Sequence, residues 1–348
     1  MVKIGIQGFG RLGRILLKLA FRKAQEKGCG DVGTVVMVND PAINPDCLAY
    51  AVKHDSFYGK SSIDIVEMGC SLMLNGVRVE ITQEPNIEKI PWAKNKVDYI
   101  IDTTGQNSNC QNASKFLVGG VKRVIVTGCS SVPIFIFGVN QTCYELDMKV
   151  VSAGTPCMNA LLPLLKILHE HFSIEQAMSR VIRPVTNSDN ILDGTTGLSC
   201  RGTRSILNTF TPIVPFTTPD FVNRIIPELE GKNASTAIRV CAPIVGAVSL
   251  TVRLRKEATY DIIKCRLKEA SESYMKGIVG FTEESATSSD MIGNTNSCIV
   301  DAKSGISIDK RISNVYAWYD SELGFASRIF DLASYMASRE GCPSDSRV

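Results

Sequence analysis

The chain has 348 residues, enough for two domains at roughly 100–200 residues each. Hydrophobic residues make up 44% and charged residues 21%, a globular balance that excludes a disordered chain, a collagen and a coiled-coil rod. The net charge of +3 gives no strong basic field for nucleic acid or an acidic membrane, so neither is expected as a partner.

Val2–Gln7 is a short apolar run that predicts a buried strand. The segment Gly8-Phe9-Gly10-Arg11-Leu12-Gly13 follows, and then a helical pattern from Arg14 to Phe21. Further buried strands are predicted at Val35–Val38, Val97–Asp102 and Arg123–Thr127, and their alternation with helices implies a parallel sheet covered on both faces. The pattern changes near residue 150. A helix is predicted at Leu161–Phe172, then β-rich runs at Met178–Thr186, Ala237–Cys241, Gly246–Leu254 and Ile312–Trp318, as in a mostly antiparallel sheet. Phe325–Ala337 predicts a closing helix, and the polar tail beyond it is expected to fray.

No apolar h-region marks a signal peptide, and no apolar run approaches the ~20 residues that span a bilayer. The chain has 12 cysteines with no C-x-x-C pair, and three histidines, His54, His169 and His171. This cysteine usage reads as reduced thiols in a cytoplasmic protein. His169 and His171 are two apart and face different ways on a helix. No Cys/His cluster has zinc-ligand spacing, so no metal is expected.

Gly8-x-Gly10-x-x-Gly13 lies between a predicted strand and a predicted helix, the setting in which this spacing binds dinucleotides. Gly8 permits the tight turn, Gly10 lets the backbone approach a pyrophosphate, and Gly13 lets helix and strand pack closely. Arg11 and Leu12 would add backbone donors at the helix N-terminus. Asp40 ends the next strand, somewhat later than the usual ~20-residue spacing. Its carboxylate would accept from the ribose hydroxyls and repel a 2′-phosphate, which predicts NAD rather than NADP.

The chain resembles the glyceraldehyde-3-phosphate dehydrogenase family from Val2 to about Glu340. The stretches that carry the resemblance are KIGIQGFGRLGR at Lys3–Arg14, VNDP at Val38–Pro41, TTG at Thr103–Gly105 and KRVIV at Lys122–Val126, then FGVN at Phe137–Asn140, IPELEGK at Ile226–Lys232 and WYDSELG at Trp318–Gly324. The resemblance implies an α/β chain: a doubly wound Rossmann NAD-binding domain at 1–151 and an α/β catalytic-type domain with a mostly antiparallel sheet at 152–318. A closing helix at 319–340 would return to the first domain, with a tail at 341–348. It also implies NAD, glycolysis and a homotetramer.

In that family a cysteine thiolate attacks the aldehyde, and a neighbouring histidine keeps it ionised and moves protons. The family motif S-N-A-S-C-T-T-N-C-L-A-P-L aligns without a gap on Ser152–Leu164 and puts Pro156 at the nucleophile position. Cys157 is one residue further on. Thr155-Pro156 reads as an N-cap followed by proline at the first helical position, and one residue along a helix turns a side chain by about 100°. Cys157 is thus the fallback nucleophile, expected to point away. The base position holds Ile182. Losing one member of such a pair costs on the order of a million-fold, so the expectation is a pseudoenzyme: an NAD-binding member without the phosphorylating chemistry. The alternative is an active dehydrogenase that uses Cys157.

By the same resemblance, Thr104, Gly105 and Thr127 line the cofactor site, and Ser321 replaces the asparagine that anchors the nicotinamide. A one-residue insertion leaves Val185 and Thr186 competing for the family's phosphate-binding threonine, and Arg239 matches a family arginine of the substrate-phosphate sites. The family's second Thr-Gly phosphate pair is absent from Pro212–Phe221. Glyceraldehyde 3-phosphate, or another small phosphate, is therefore expected to bind at most weakly, in a homotetramer or in a tetramer mixed with an active paralogue.

Overall fold

The computed structural model describes residues 2–27, 33–107, 109–128, 131–195, 200–214 and 219–341. The chain forms two compact units, Met1–Gly154 with Ala326–Val348, and Thr155–Phe325.

In the first unit, β1 (Lys3–Gln7) leads into α1 (Arg11–Lys27), and β2 (Thr34–Asn39) follows. Next come α2 (Leu48–Lys53), a small hairpin of β3 (His54–Asp55) and β4 (Gly59–Lys60), and then β5 (Ile65–Glu67), β6 (Ser71–Leu74) and β7 (Val77–Thr82). The unit continues with β8 (Tyr99–Asp102), α3 (Cys110–Ser114), β9 (Arg123–Val126) and β10 (Val150–Ser152). Among the described residues the main sheet runs β10-β9-β8-β1-β2-β7-β6-β5. From β10 to β7 every pairing is parallel. The β7–β6 and β6–β5 pairings are antiparallel, an edge that the parallel sheet expected from the sequence did not include. β7 folds back on β6 through the turn Asn75-Gly76, with φ of 48° and 78°, the backbone of a two-residue hairpin. Trp92, fully buried, packs where Gly5 leaves room: a Cβ at Gly5 would sit 2.6 Å from the indole.

In the second unit, α4 (Pro156–Phe172) precedes β11 (Ile174–Arg183), β12 (Thr211–Ile213), α5 (Pro219–Ile225) and β13 (Asn233–Arg239). They are followed by β14 (Val245–Leu254), α6 (Tyr260–Glu272), β15 (Val279–Thr282), β16 (Cys298–Ser307) and β17 (Ile312–Asp320). The sheet order is β12-β13-β11-β14-β17-β16-β15. Among the described residues only β11–β13 and β15–β16 pair in parallel, so the sheet is mostly antiparallel, as read from the sequence. α4 lies against β14 and β17 and buries most of its length, including Leu161, Leu162, Leu164, Leu165 and Leu168. Each such leucine contributes roughly 1.5–3 kcal/mol of burial.

Two boundaries differ from expectation. β11 stops at Arg183 rather than Thr186, because Pro184 has no N–H to continue the ladder. The segment read as a closing helix from 319 is still strand at Asp320, and α7 (Leu323–Gly341) begins after a two-residue turn. Pro215–Thr218 and the tail from 342 lie outside the described residues. Among the described residues, no helix is long and apolar enough to cross a membrane.

Candidate functional site

The first unit gathers its candidate residues at the C-terminal ends of β1, β2, β8 and β9. This is the edge at which open α/β sheets bind ligands, beside β1 where the strand order reverses. Gly8 has φ +96°, a conformation that other residues rarely adopt. A Cβ at Gly13 would collide with the Gly8 carbonyl oxygen, whereas a Cβ at Gly10 would meet nothing within 4 Å. So Gly13 is fixed by packing, while Gly10 faces open space that a ligand backbone contact can use. Leu12 and Gly13 lie in the first turn of α1, whose N–H groups have no partner within the helix, and no acidic residue sits in that turn.

Asp40 is latched to the turn. Its Oδ2 accepts the Phe9 N–H at 2.7 Å, and its Oδ1 accepts the Ala42 N–H at 2.8 Å. Each carboxylate oxygen keeps lone pairs for further donors. The Arg11 guanidinium reaches Asp55 at 3.3 Å and lies over the Phe57 ring, so its side chain braces the fold. On the other side of the glycine turn, the Thr103 hydroxyl donates to the Gln7 and Gly8 carbonyls at 3.0 and 3.2 Å, and the Thr104 methyl lies beside Gly8. Gly105 has φ +69°.

The residue behind these, missed in the sequence, is Asp102. It is 1% exposed. Its Oδ1 accepts the Thr104 N–H and hydroxyl at 3.0 and 2.7 Å, and its Oδ2 accepts the Asn107 amide at 3.1 Å. Burial raises its pKa, and the Thr104 and Asn107 donors offset only part of that. The Thr127 hydroxyl donates to the Asp102 carbonyl at 3.0 Å, so Gly8, Thr104, Asp102 and Thr127 form one connected rim. The open face of Gly10, the bare helix N-terminus and the latched Asp40 together fit a dinucleotide. Gly8, Gly10, Leu12 and Gly13 would hold its pyrophosphate, and Asp40 its adenosine ribose.

The second unit holds the other candidates. Thr155 caps α4, its hydroxyl accepting the Met158 N–H at 3.4 Å, and Pro156 opens the helix. The proline fits this position because the first helical N–H needs no partner. Cys157 is 2% exposed, and its Sγ lies 3.2 Å from the Thr155 hydroxyl. Tyr319, from β17, donates its hydroxyl to the Ile182 carbonyl at 3.2 Å. Its phenol fills the space left by Gly246, where a Cβ would overlap the ring. Burial raises the Tyr319 pKa, and the nearby Cys157 adds to the effect. Cys157, Ile182 and Tyr319 are thus neighbours, with no histidine among them.

Thr186 and Arg239 do come together. Arg239 Nη1 donates to the Pro184 carbonyl at 2.9 Å and to the Thr186 hydroxyl at 3.2 Å. Asp189 joins them: it takes the Arg239 Nη1 at 3.0 Å and the Thr186 N–H and hydroxyl at 2.7 and 2.9 Å. Burial, and next the charge of Arg183, lower the Arg239 pKa. Val185 donates its N–H to the Ala242 carbonyl at 2.9 Å and has no hydroxyl, so Thr186 alone of the two competing residues offers one here. Ser321 turns its hydroxyl to the Ile244 carbonyl, donating at 2.7 Å, which leaves only acceptor capacity for a carboxamide. The sequence carried a signal for Asp189 in the spacing Thr-x-x-Asp, a capping-box pattern.

Two family models match the chain. One is described as the glyceraldehyde 3-phosphate dehydrogenase NAD binding domain, over residues 2–109, and the other as the C-terminal domain of the same enzyme, over residues 156–321. Similar curated proteins include glyceraldehyde-3-phosphate dehydrogenase of Glossina morsitans morsitans, 38% identical over 98% of this chain and 100% of the relative. The enzyme of Wickerhamomyces ciferrii is 37% identical over 97% of this chain and 99% of its own length. Glyceraldehyde-3-phosphate dehydrogenase 1 of Saccharomyces cerevisiae is likewise 37% identical, over 97% and 99%. NAD is the cofactor of this fold. The chain belongs to the glyceraldehyde-3-phosphate dehydrogenase family.

Proposed function

We propose that the chain binds NAD in its first unit and serves a binding or structural role, without the thiol-dependent phosphorylating oxidation of its family. One observation carries this reading. Pro156 opens α4 at the position the resemblance assigns to the nucleophile, and the adjacent Cys157 is buried against Thr155. A side chain that attacks a carbonyl must come within about 3–3.5 Å of it. A thiol 2% exposed is poorly disposed to do so. Ile182, at the position of the base, carries no titratable group. NAD, when bound, supplies a hydride acceptor. The chain's own contribution in that unit is to hold the dinucleotide through Gly8, Gly10, Arg11, Leu12, Gly13 and Asp40, with Thr104, Gly105 and Thr127 as the remaining cofactor residues. The protein acts in the cytoplasm, as a homotetramer or mixed with an active paralogue.

The comparisons favour a second reading at least as strongly. The relatives are named as glyceraldehyde-3-phosphate dehydrogenases along almost the whole chain, which supports an active glycolytic enzyme with Cys157 as nucleophile. Cys157 lies in the first turn of α4, next to the position the resemblance assigns to the nucleophile. The deciding measurement is NAD reduction with glyceraldehyde 3-phosphate and phosphate. The first reading expects no turnover above background and unchanged NAD binding in Cys157→Ser. Turnover that Cys157→Ser abolishes would establish the second.

A further inference from the structure

The carboxylate of Asp189 gathers donors of three kinds on a single oxygen. One of its oxygens, Oδ2, takes three donors: the Thr186 N–H, the Thr186 hydroxyl and the Arg239 guanidinium. A backbone N–H, a hydroxyl and an arginine converging on one oxygen are the donors a phosphate oxygen uses.

A local turn does not need the arginine. The chain contains a second turn of the same kind at Thr287-Ser288-Ser289-Asp290. There Asp290 Oδ2 takes the Thr287 N–H at 2.7 Å and its hydroxyl at 2.9 Å, the same distances as between Thr186 and Asp189. The Asp290 N–H returns to the Thr287 carbonyl at 3.2 Å, as the Asp189 N–H does to Thr186 at 3.0 Å. Among the described residues Asp290 makes no ion pair. The turn at Thr186 is therefore complete without Arg239, which is brought in from β13 as an addition. Arg239 is only 9% exposed, and its Nε, buried, has no hydrogen-bond partner. A buried guanidinium with an unused donor shows that Asp189 does not satisfy Arg239 in full. Asp189 is the accessible side of the arrangement, its side chain 22% exposed against 11% for Arg239.

We propose that Asp189 is a built-in anion that occupies the phosphate cup formed by Thr186 and Arg239 and excludes phosphorylated ligands from it. This rests on the reading above that Thr186 and Arg239 are the residues that would take a substrate phosphate. A carboxylate and a phosphate group cannot share one donor set, because like charges a few ångströms apart repel strongly. Asp189 is thus a specificity-determining residue: it turns a site for a phosphate monoester into a closed internal ion pair.

The test is equilibrium titration of the full chain with inorganic phosphate. Asp189→Ala is expected to bind phosphate at least 10-fold more tightly than the unaltered chain. Asp189→Asn keeps the shape of the turn and removes the charge, so it guards against misfolding, and it should show a smaller gain. Adding Arg239→Gln to Asp189→Ala should remove the gain. Asp290→Ala, in the matched turn, should leave phosphate affinity unchanged. Equal phosphate binding by the unaltered chain and both Asp189 variants would overturn the proposal, as would no binding by any of them, or an equal gain in Asp290→Ala. NAD titration of each variant reports the intact fold. Whether the chain turns over is read in the separate NAD-reduction assay, so failure of the proposed function and failure of the Asp189 proposal are distinguishable.

Discussion

Cys157 Sγ lies 3.2 Å from the hydroxyl of Thr155, inside the first turn of α4. The hydroxyl that caps the helix therefore also holds the nearest thiol, and Pro156 stands between them. Pro156→Cys should yield a thiol at the start of a helix without breaking the helix, since proline at this position is favoured but not required. In competitive labelling of the P156C variant with iodoacetamide, the introduced thiol should react at least 10-fold faster than Cys157. Equal rates would mean that burial of Cys157 is not what silences it.

The glycines of the fingerprint should separate fold from ligand. Gly13→Ala forces a methyl group onto the Gly8 carbonyl, an overpacking expected to cost about 1–3 kcal/mol. Gly10→Ala meets open space and should change stability by less than about 1 kcal/mol, yet weaken NAD binding by blocking the approach of the pyrophosphate. Urea melts and NAD titrations on the two variants read both effects. Equal destabilisation by the two would contradict the packing described.

Two aspartates of the first unit should respond to pH with opposite sign. Burial would raise the Asp55 pKa, but the Phe57 and Tyr58 N–H groups and the charges of Arg11 and Lys18 outweigh it and hold the group below 3.8. Its stabilisation is present above 3.8 and lost as pH falls through the lowered value. Asp102 is raised above 3.8 by burial. Its carboxyl is tolerated best when protonated, so its contribution is greatest below 3.8 and declines as pH rises through the raised value. In urea melts from neutral pH downward, Asp55→Asn should flatten the acid-side loss of stability. The stability of the unaltered chain relative to Asp102→Asn should improve as pH falls. The same slope in both variants would refute the assignment.

The parallel half of the first sheet is legible in the sequence because its strands are continuous apolar runs, and the cofactor turn is legible because only glycine suits Gly8 and Gly13. Asn75-Gly76 is also a strong hairpin signal, and Val77–Thr82 after it alternates apolar and polar residues over six positions, so the antiparallel edge is legible there too. In the second unit, the long strands β11, β14 and β17 announce themselves by alternation, though Pro184 cuts the first of them short. β16 escapes a linear reading because its C-terminal half, Lys303–Ser307, is polar and small. What the sequence could not supply was convergence. Asp102 and Asp189 are ordinary aspartates in a linear reading, and their partners become visible only when Asn107, Thr104 and Arg239 are brought to them.

The latch between Asp40 and the Phe9 N–H ties cofactor choice to architecture. The carboxylate that would discriminate against a 2′-phosphate also closes the turn beneath the dinucleotide. A lineage that gives up Asp40 to accept the phosphorylated coenzyme loses the clasp of its own turn in the same step. Each single replacement on that route is penalised before a compensating change arrives, so the coenzyme preference behaves as an inherited commitment, difficult to revise one residue at a time.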